Sequence, residues 1–387
     1  MHHKTRTRHI FALLLATTLA AHAQWDIEES HTTASLRGIH NVGGGVAWAS
    51  GTNGTVLRTE DGGYLWQTCA IPPGAEKLDF RGIQAFDENT AIVMSSGKGD
   101  LSRLYKTTDG CQTWKLLFTN PDKEGFWDAL QFTPVTIDAQ GAEFGIILGD
   151  PVDGYFPLFL TFDGGDKWER QIRQSPKAQP KEAIFAASNS SLLLHGPHLA
   201  TSSREFVTGG PNGPRVLRLW IGKDDTQPQD SLKVAPGSRE FRFVYGIWKT
   251  QILPAKSNVE TSGAFSIADR GLGAPTVIVG GNFQSPNAVD QTAWYEDSHR
   301  EWQASQTPPH GYRSSVAYDA EQKLWITVGP NGTDISTDDG KNWTPLTPSG
   351  YDPPDADKNW NALSLPFVVG PKGRIGRLRT ITQPKPK

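Results

Sequence analysis

The chain has 387 residues, enough for two or three average domains, although all-β propellers use such lengths as a single unit. Lys plus Arg (38) nearly balances Asp plus Glu (41), which argues against a basic nucleic-acid surface and against a polybasic membrane patch. Forty glycines, 27 prolines and 13 tryptophans, beside only 2 methionines, fit short strands joined by many tight turns.

The first 23 residues read as an address. Lys4, Arg6 and Arg8 precede a short apolar run from Ile10 to Ala20, and Ala21-His22-Ala23 supplies a small-x-small cleavage site. The mature chain is expected to begin at Gln24, exported to the periplasm or beyond. No cysteine follows the cleavage site to carry a lipid, and no later stretch approaches the ~20 apolar residues that span a bilayer.

Residues 24–387 read as one repeat-built domain. Each repeat opens with a short first strand: LRGI at 36, FRGI at 80, WDAL at 127, FAAS at 185, FSIA at 265, YRSS at 312 and WNAL at 360. A strand, a Gly-rich turn and a further strand come next, as in AWASGTNGTVLRT at 47–59 and WITVGPNGTDIST at 325–337. The pattern [ST]-x-D-x-G-x-x-W then closes the repeat: TEDGGYLW at 59–66, TTDGCQTW at 107–114, TFDGGDKW at 161–168 and STDDGKNW at 336–343. A worn copy, YEDSHREW at 295–302, keeps Asp297 and Trp302. Asp61, Asp109, Asp163, Asp297 and Asp338 are read as structural. The carboxylate and hydroxyl satisfy turn backbone, glycine supplies positive φ, and the tryptophan opens the next strand as a wedge between sheets. Too few carboxylates surround them for a Ca²⁺ loop.

Three strands plus the tryptophan strand make a four-stranded blade, and the spacing predicts an all-β, seven-bladed β-propeller. The fourth blade takes Trp248 as its last-strand tryptophan and carries an insertion near 221–246. The seventh repeat stops at Arg377-Leu378-Arg379, so Gln24 to Ile27 is expected to complete the last blade and close the ring without an exposed edge. Cys69 and Cys111 lie in adjacent repeats; two separate thiols are the preferred reading, with a bridge as the alternative.

These boxes, with GDPVDG at 149, FAASNSSL at 185, GAFSIA at 263, VGGNFQSP at 279, GYRSSVAY at 311 and VGPKGRI at 369, resemble the Asp-box (BNR) propellers of the photosystem II stability/assembly-factor-like group. The likeness spans the mature chain. It implies an exported scaffold or chaperone-like binding role, with no photosystem implied by this sequence.

Aligning the first strands gives one column: Arg37, Arg81, Asp128, Ala186, Ser266, Arg313 and Asn361. First strands lie nearest a propeller's axis, so Arg37, Arg81 and Arg313 with Asp128, Ser266 and Asn361 are expected to form an axial, cationic funnel for a carboxylate or other anion. The competing reading pairs each arginine structurally, with Asp87, Asp128, Asp150 or Glu182 as partners. The expected function is a non-catalytic binding, assembly or stability factor of the cell envelope, acting as a monomer on a protein, a peptide or a small anion. The alternative is a glycoside hydrolase, either sialidase-like with Tyr245 or Tyr312 as nucleophile, or inverting with Asp128 beside Asp150 or Glu182. No cofactor or metal is expected; His195 and His198 form an isolated H-x-x-H, and neither G-x-G-x-x-G opening a helix nor G-x-S-x-G is present.

Overall fold

The computed structural model describes residues 25–381 apart from 137–142, 172–174, 195–203, 222–245, 256–258, 272–273 and 351. Residues 1–23, which the sequence reads as a signal, His195, His198, Tyr245 and most of the insertion therefore lie outside the described residues.

Seven four-stranded antiparallel sheets surround one axis. The innermost strands of blades 1 to 7 are Leu36–Gly43, Phe80–Ala85, Trp127–Thr136, Leu192–Leu194, Ser262–Asp269, Ser315–Asp319 and Ala362–Ser364. Six blades use four consecutive strands. The seventh runs Ala362–Ser364, Phe367–Val369, Ile375–Leu378 and finally Trp25–Glu28, so the N-terminal strand completes the last blade. Its register pairs Trp25 with Leu378 and Glu28 with Ile375, and the Trp25 ring packs 5.8 Å from Trp360. The insertion interrupts the last hairpin of blade 4, between Arg215–Ile221 and Gly246–Ile252, and Trp248 lies in that last strand as expected.

The aspartate turns repeat one bonding scheme. In blade 1, Thr59 Oγ1 donates to Asp61 Oδ1 (2.8 Å) and accepts from Gly63 N (3.0 Å), while Leu65 N donates to Asp61 Oδ1 (3.0 Å). Thr107, Asp109 and Cys111 do the same, as do Thr161, Asp163 and Gly165, and Ser336, Asp338 and Gly340. The bond from Leu65 N holds the Asp61 carboxyl below its usual range, and the Thr113 hydroxyl draws Asp109 down to about 2. Asp297 keeps half the scheme, accepting from His299 N (2.8 Å) and Glu301 N (3.0 Å).

Each turn aims its tryptophan at the preceding blade. Trp66 meets Phe367 of blade 7 edge-on at 5.5 Å, and Trp343 joins Val277 and Val279 of blade 5. These apolar wedges are buried between sheets, where aromatic area contributes most to packing. Cys111 stands in the second turn where the others have glycine, and it adopts the same positive φ, 63°. The preference for two separate thiols is corrected here: Cys69 and Cys111 are bridged, with Cα atoms 5.3 Å apart. The end of blade 1's outer strand and the turn of blade 2 meet side by side, since Ala70 N donates to Cys111 O (3.2 Å), and this puts the two sulfurs in reach.

Candidate functional site at the axial mouth

Blade 4 departs from the repeat at its first strand. Residues 185–191, aligned in the sequence with the other first strands, are irregular and precede the three-residue strand Leu192–Leu194. Arg81 Nη1 of blade 2 donates to Ala186 O (3.3 Å). Leu130 of blade 3 gives its N–H to Asn189 Oδ1 (2.7 Å) and receives Asn189 Nδ2 on its carbonyl (2.9 Å). On the other side, Ser190 Oγ meets Ser266 Oγ of blade 5 (2.7 Å), and Ser188 Oγ donates to Ser314 O of blade 6 (2.6 Å). A segment bonded to blades 2, 3, 5 and 6 has to lie across the axis, so residues 185–191 form a plug. Gly82 makes room for it: a Cβ there would stand 2.9 Å from Asn189 Oδ1.

The plug sorts the expected column. Ser266 accepts from Val316 N (3.0 Å) and holds Ser190; it is completely buried between inner strands. Asn361 Nδ2 donates to Leu36 O (2.7 Å), tying blade 7 to blade 1. Arg313 is also completely buried and turns into blade 6, where Nε meets Asp334 Oδ2 (2.7 Å), Nη1 meets Tyr312 O (2.8 Å) and Nη2 contacts His310 Nδ1 (2.9 Å). The expected convergence of three arginines is therefore corrected: Arg313 brings no charge to the mouth. A sialidase-like triad is not formed, and Tyr312 is buried, its phenol pushed up further from ionisation.

Arg37 and Arg81 do come together, through a residue the column did not include, and Asp128 lies within electrostatic reach of Arg81. Asp79 Oδ2 accepts from Arg81 Nε (2.8 Å), and its Oδ1 lies 3.9 Å from Arg37 Nε. Both arginine side chains keep about a third of their surface in solvent, 31 % and 27 %. Burial lowers the Arg37 guanidinium's affinity for its proton, Asp79 opposes that, and Arg81 adds like-charge repulsion. Arg37 Nε and Asp79 Oδ1 are both buried without a hydrogen-bond partner. Phe126 lies under Arg81 at 5.9 Å. Tyr312 is within electrostatic reach of Arg37 and meets Phe265 edge-on at 4.7 Å; Phe265 stacks on Phe185 at 3.9 Å, and half-exposed Phe283 leans on both. Two cations over one carboxylate thus border an aromatic wall.

Of the partners weighed for structural pairing, Asp87 caps its own hairpin through Asn89 N and Thr90 N (2.7 and 2.6 Å). Glu182 is buried against Arg215 and the Thr208 hydroxyl (both 2.6 Å). Asp128 lies in the inner strand of blade 3 and Asp150 just past the end of the neighbouring strand, where the Asp150 N–H donates to Phe126 O (2.9 Å). Burial pushes Asp128 well above the usual carboxylate range, the Asp150 charge pushes it further, and Arg81 opposes. Burial raises Asp150 to about 6, against the N–H of Ile184 (2.9 Å). Both acids belong to one blade, and Asp128 is 1 % exposed, which leaves it little open face for a substrate. Asp79 had a readable signal: in DFRGI it stands two residues before Arg81, on the same face of an extended chain.

Fold and mouth together define a seven-bladed propeller with four-stranded blades and a plugged axis. No family model matches the sequence, and no curated protein does. Solved structures do match. YCF48 bound to D1 peptide superposes with a TM-score of 0.58 at 15% identity, over 93% of this chain and 98% of that one. YCF48 from Cyanidioschyzon merolae gives 0.55 at 16%, over 92% and 99%. The WD40 propeller domain of Doa1 gives 0.54 at 10%, over 94% and 97%. At these identities the likeness is one of fold.

Proposed function

We propose that this chain is an exported, non-catalytic binding propeller of the cell envelope, serving assembly or stability of a partner protein whose carboxylate-bearing segment docks at the axial mouth. The observation that carries the reading is the pairing of Arg37 and Arg81 with a single aspartate, Asp79, which leaves an excess guanidinium with a buried, unpartnered Nε. Arginine at such a place suits bidentate capture of a carboxylate, and the wall of Phe185, Phe265, Phe283 and Tyr312 suits an apolar side chain next to it. One matching propeller is described as bound to a peptide, which supports a peptide as the ligand of this fold. The [ST]-x-D-x-G-x-x-W turns support placement with the Asp-box propellers, and the leader at 1–23 supports export.

The test compares the mature protein with an Arg37→Ala, Arg81→Ala variant of verified fold on arrayed peptides carrying free or amidated C termini and acidic side chains. Retention of carboxylate-bearing peptides should weaken with salt and fall at least tenfold in the variant. Equal retention by both proteins would refute the mouth as the binding site. A glycan-hydrolysing activity abolished by Asp128→Asn would replace this reading with the hydrolase one.

A further inference from the structure

We propose that the junction where the ring closes carries a second binding site, a polar cleft that takes a free aliphatic α-amino acid. Its lining shares no residue with the Arg37–Arg81 mouth, and the proposal does not depend on the function read there.

The cleft encloses about 380 Å³, within the range of small-molecule sites, about 300–1,000 Å³. Glu28, at the end of the N-terminal strand, and Glu29 after it line one part. Lys372 and Arg374 line another, in the turn between Phe367–Val369 and Ile375–Leu378. Backbone holds the two together: Gly373 N donates to Ala34 O (2.7 Å), and a Cβ on Gly373 would strike Thr32 O and stand 2.6 Å from Ser30 Oγ. The acids thus come from the first strand of the chain and the cations from its last hairpin, so the cleft exists only in the closed ring.

Lys372 breaks the repeat. The same turn reads GTNG at 51–54, GPNG at 210–213 and at 329–332, and GPKG at 370–373, so lysine stands where three blades have asparagine. Its φ is 58°, close to the 60° of Asn53, a left-handed value that asparagine tolerates and lysine adopts at a cost. A costly backbone kept under a long cationic side chain argues that the charge is used. Arg374 is already committed: its guanidinium lies over Trp360 at 4.6 Å, Nη1 meets Asp355 Oδ2 (3.2 Å) and Nη2 donates to Asp355 O (2.7 Å). Lys372 has no carboxylate partner among the described residues. On the acidic side, Glu28 is mostly buried with one oxygen 3.3 Å from Arg377 Nε, and Glu29 is mostly exposed with His31 Nδ1 at 3.7 Å. Burial pushes the Glu28 carboxyl up and Arg377 opposes, so an added cation relieves it. A ligand carrying both an ammonium and a carboxylate answers both groups, whereas a simple anion or cation meets like charge on one of them. Ile27, exposed at the rim, suits an aliphatic side chain.

L-Leucine is the probe, beside N-acetyl-L-leucine and L-leucinamide, each lacking one of its charges. Calorimetry on the chain from Gln24 onward gives the dissociation constants. Each blocked form should bind about tenfold more weakly than leucine. Lys372→Asn, which installs the residue of the other turns, should lose about tenfold for leucine and for N-acetyl-L-leucine and leave L-leucinamide unchanged. Glu29→Gln should do the reverse. Leucine should also raise the urea midpoint of the wild type, because it binds only the closed ring, and raise that of Lys372→Asn less. Arg37→Ala, Arg81→Ala should bind leucine as the wild type does. Absence of binding for leucine, valine and alanine at millimolar concentration overturns the proposal, and so does equal affinity for leucine and its two blocked forms. Leucine binding lost with Arg37 and Arg81 but kept by Lys372→Asn would place the amino acid at the mouth and overturn the cleft.

Discussion

Arg37, Arg81 and Arg313 occupy equivalent places in the repeat and have different neighbours, and the difference traces to single residues. Asp334 stands in the third strand of blade 6, GTDIS, at the position where blade 1 has Leu57 and blade 2 has Tyr105; all three are buried. An unpaired carboxylate there would be very costly, so Arg313 folds inward to meet it. Blades 1 and 2 offer no such acid, and Arg37 and Arg81 stay at the mouth on Asp79. Removing one partner of a buried pair strands the other. Arg313→Leu should therefore cost about 3–5 kcal/mol of unfolding free energy, with Arg313→Leu, Asp334→Leu recovering most of it. Arg37→Ala, at a side chain about a third exposed, should cost under about 1 kcal/mol. Urea unfolding of the three proteins checks the order; a loss for Arg37→Ala equal to that for Arg313→Leu would contradict the assignment of roles. The aspartate in GTDIST was visible in the sequence, and a charge in an otherwise apolar column was the clue that Arg313 had a structural partner.

At the scale of elements, the turns were legible and the plug was not. Four copies of one bonding scheme need the same hydroxyl, carboxylate, positive-φ residue and tryptophan at fixed spacing, so the chemistry is written in the string. FAASNSSL occupies the slot of a first strand, and its Phe185 matches the aromatics that open five of the other six repeats. Its unusual feature is a run of short polar side chains, Ser188 to Ser191, each able to replace a backbone partner. That pattern marks a chain that bonds outside a ladder, while the four blades it reaches depend on contacts remote in sequence. The bridge between Cys69 and Cys111 was hidden for the same reason: Cα separation is a tertiary quantity. It closes a loop with a sequence separation of 42 around most of blade 2, and the chain-entropy model assigns such a loop about 4 kcal/mol. Cys69→Ala, Cys111→Gly restores the repeat's own glycine at φ 63°, so that variant should lose stability through the missing crosslink alone. Reductant should lower the wild-type urea midpoint toward that of the variant and leave the variant unmoved; a midpoint equal in both proteins would show that the bridge does not stabilise the fold.

At the scale of the molecule, the ring depends on its ends. Without Trp25–Glu28, strand Ile375–Leu378 becomes an open edge and Trp360 loses the indole packed on it. Loss of a buried tryptophan contact of this kind costs about 3–5 kcal/mol, and an exposed edge invites strand pairing between molecules. A chain beginning at residue 29 should unfold at lower urea and elute as aggregates by size exclusion; an unchanged midpoint with monomeric elution would mean that the ring closes without its latch. The ring itself was legible because the seventh repeat lacks a strand and an unassigned Gln-Trp-Asp-Ile at 24–27 precedes the first repeat.

That latch also sets a timetable. Asp26 pairs with Arg379, 353 residues later, so the first segment made must wait for nearly the last before blade 7 exists. At ribosomal speeds of about 5–20 residues per second the wait is on the order of 20–70 s. By its end the chain holds six potential blades and no closed circle. A chain in that state is still thread, and the same arrangement that seals the finished ring keeps the unfinished one open until its last strands are made.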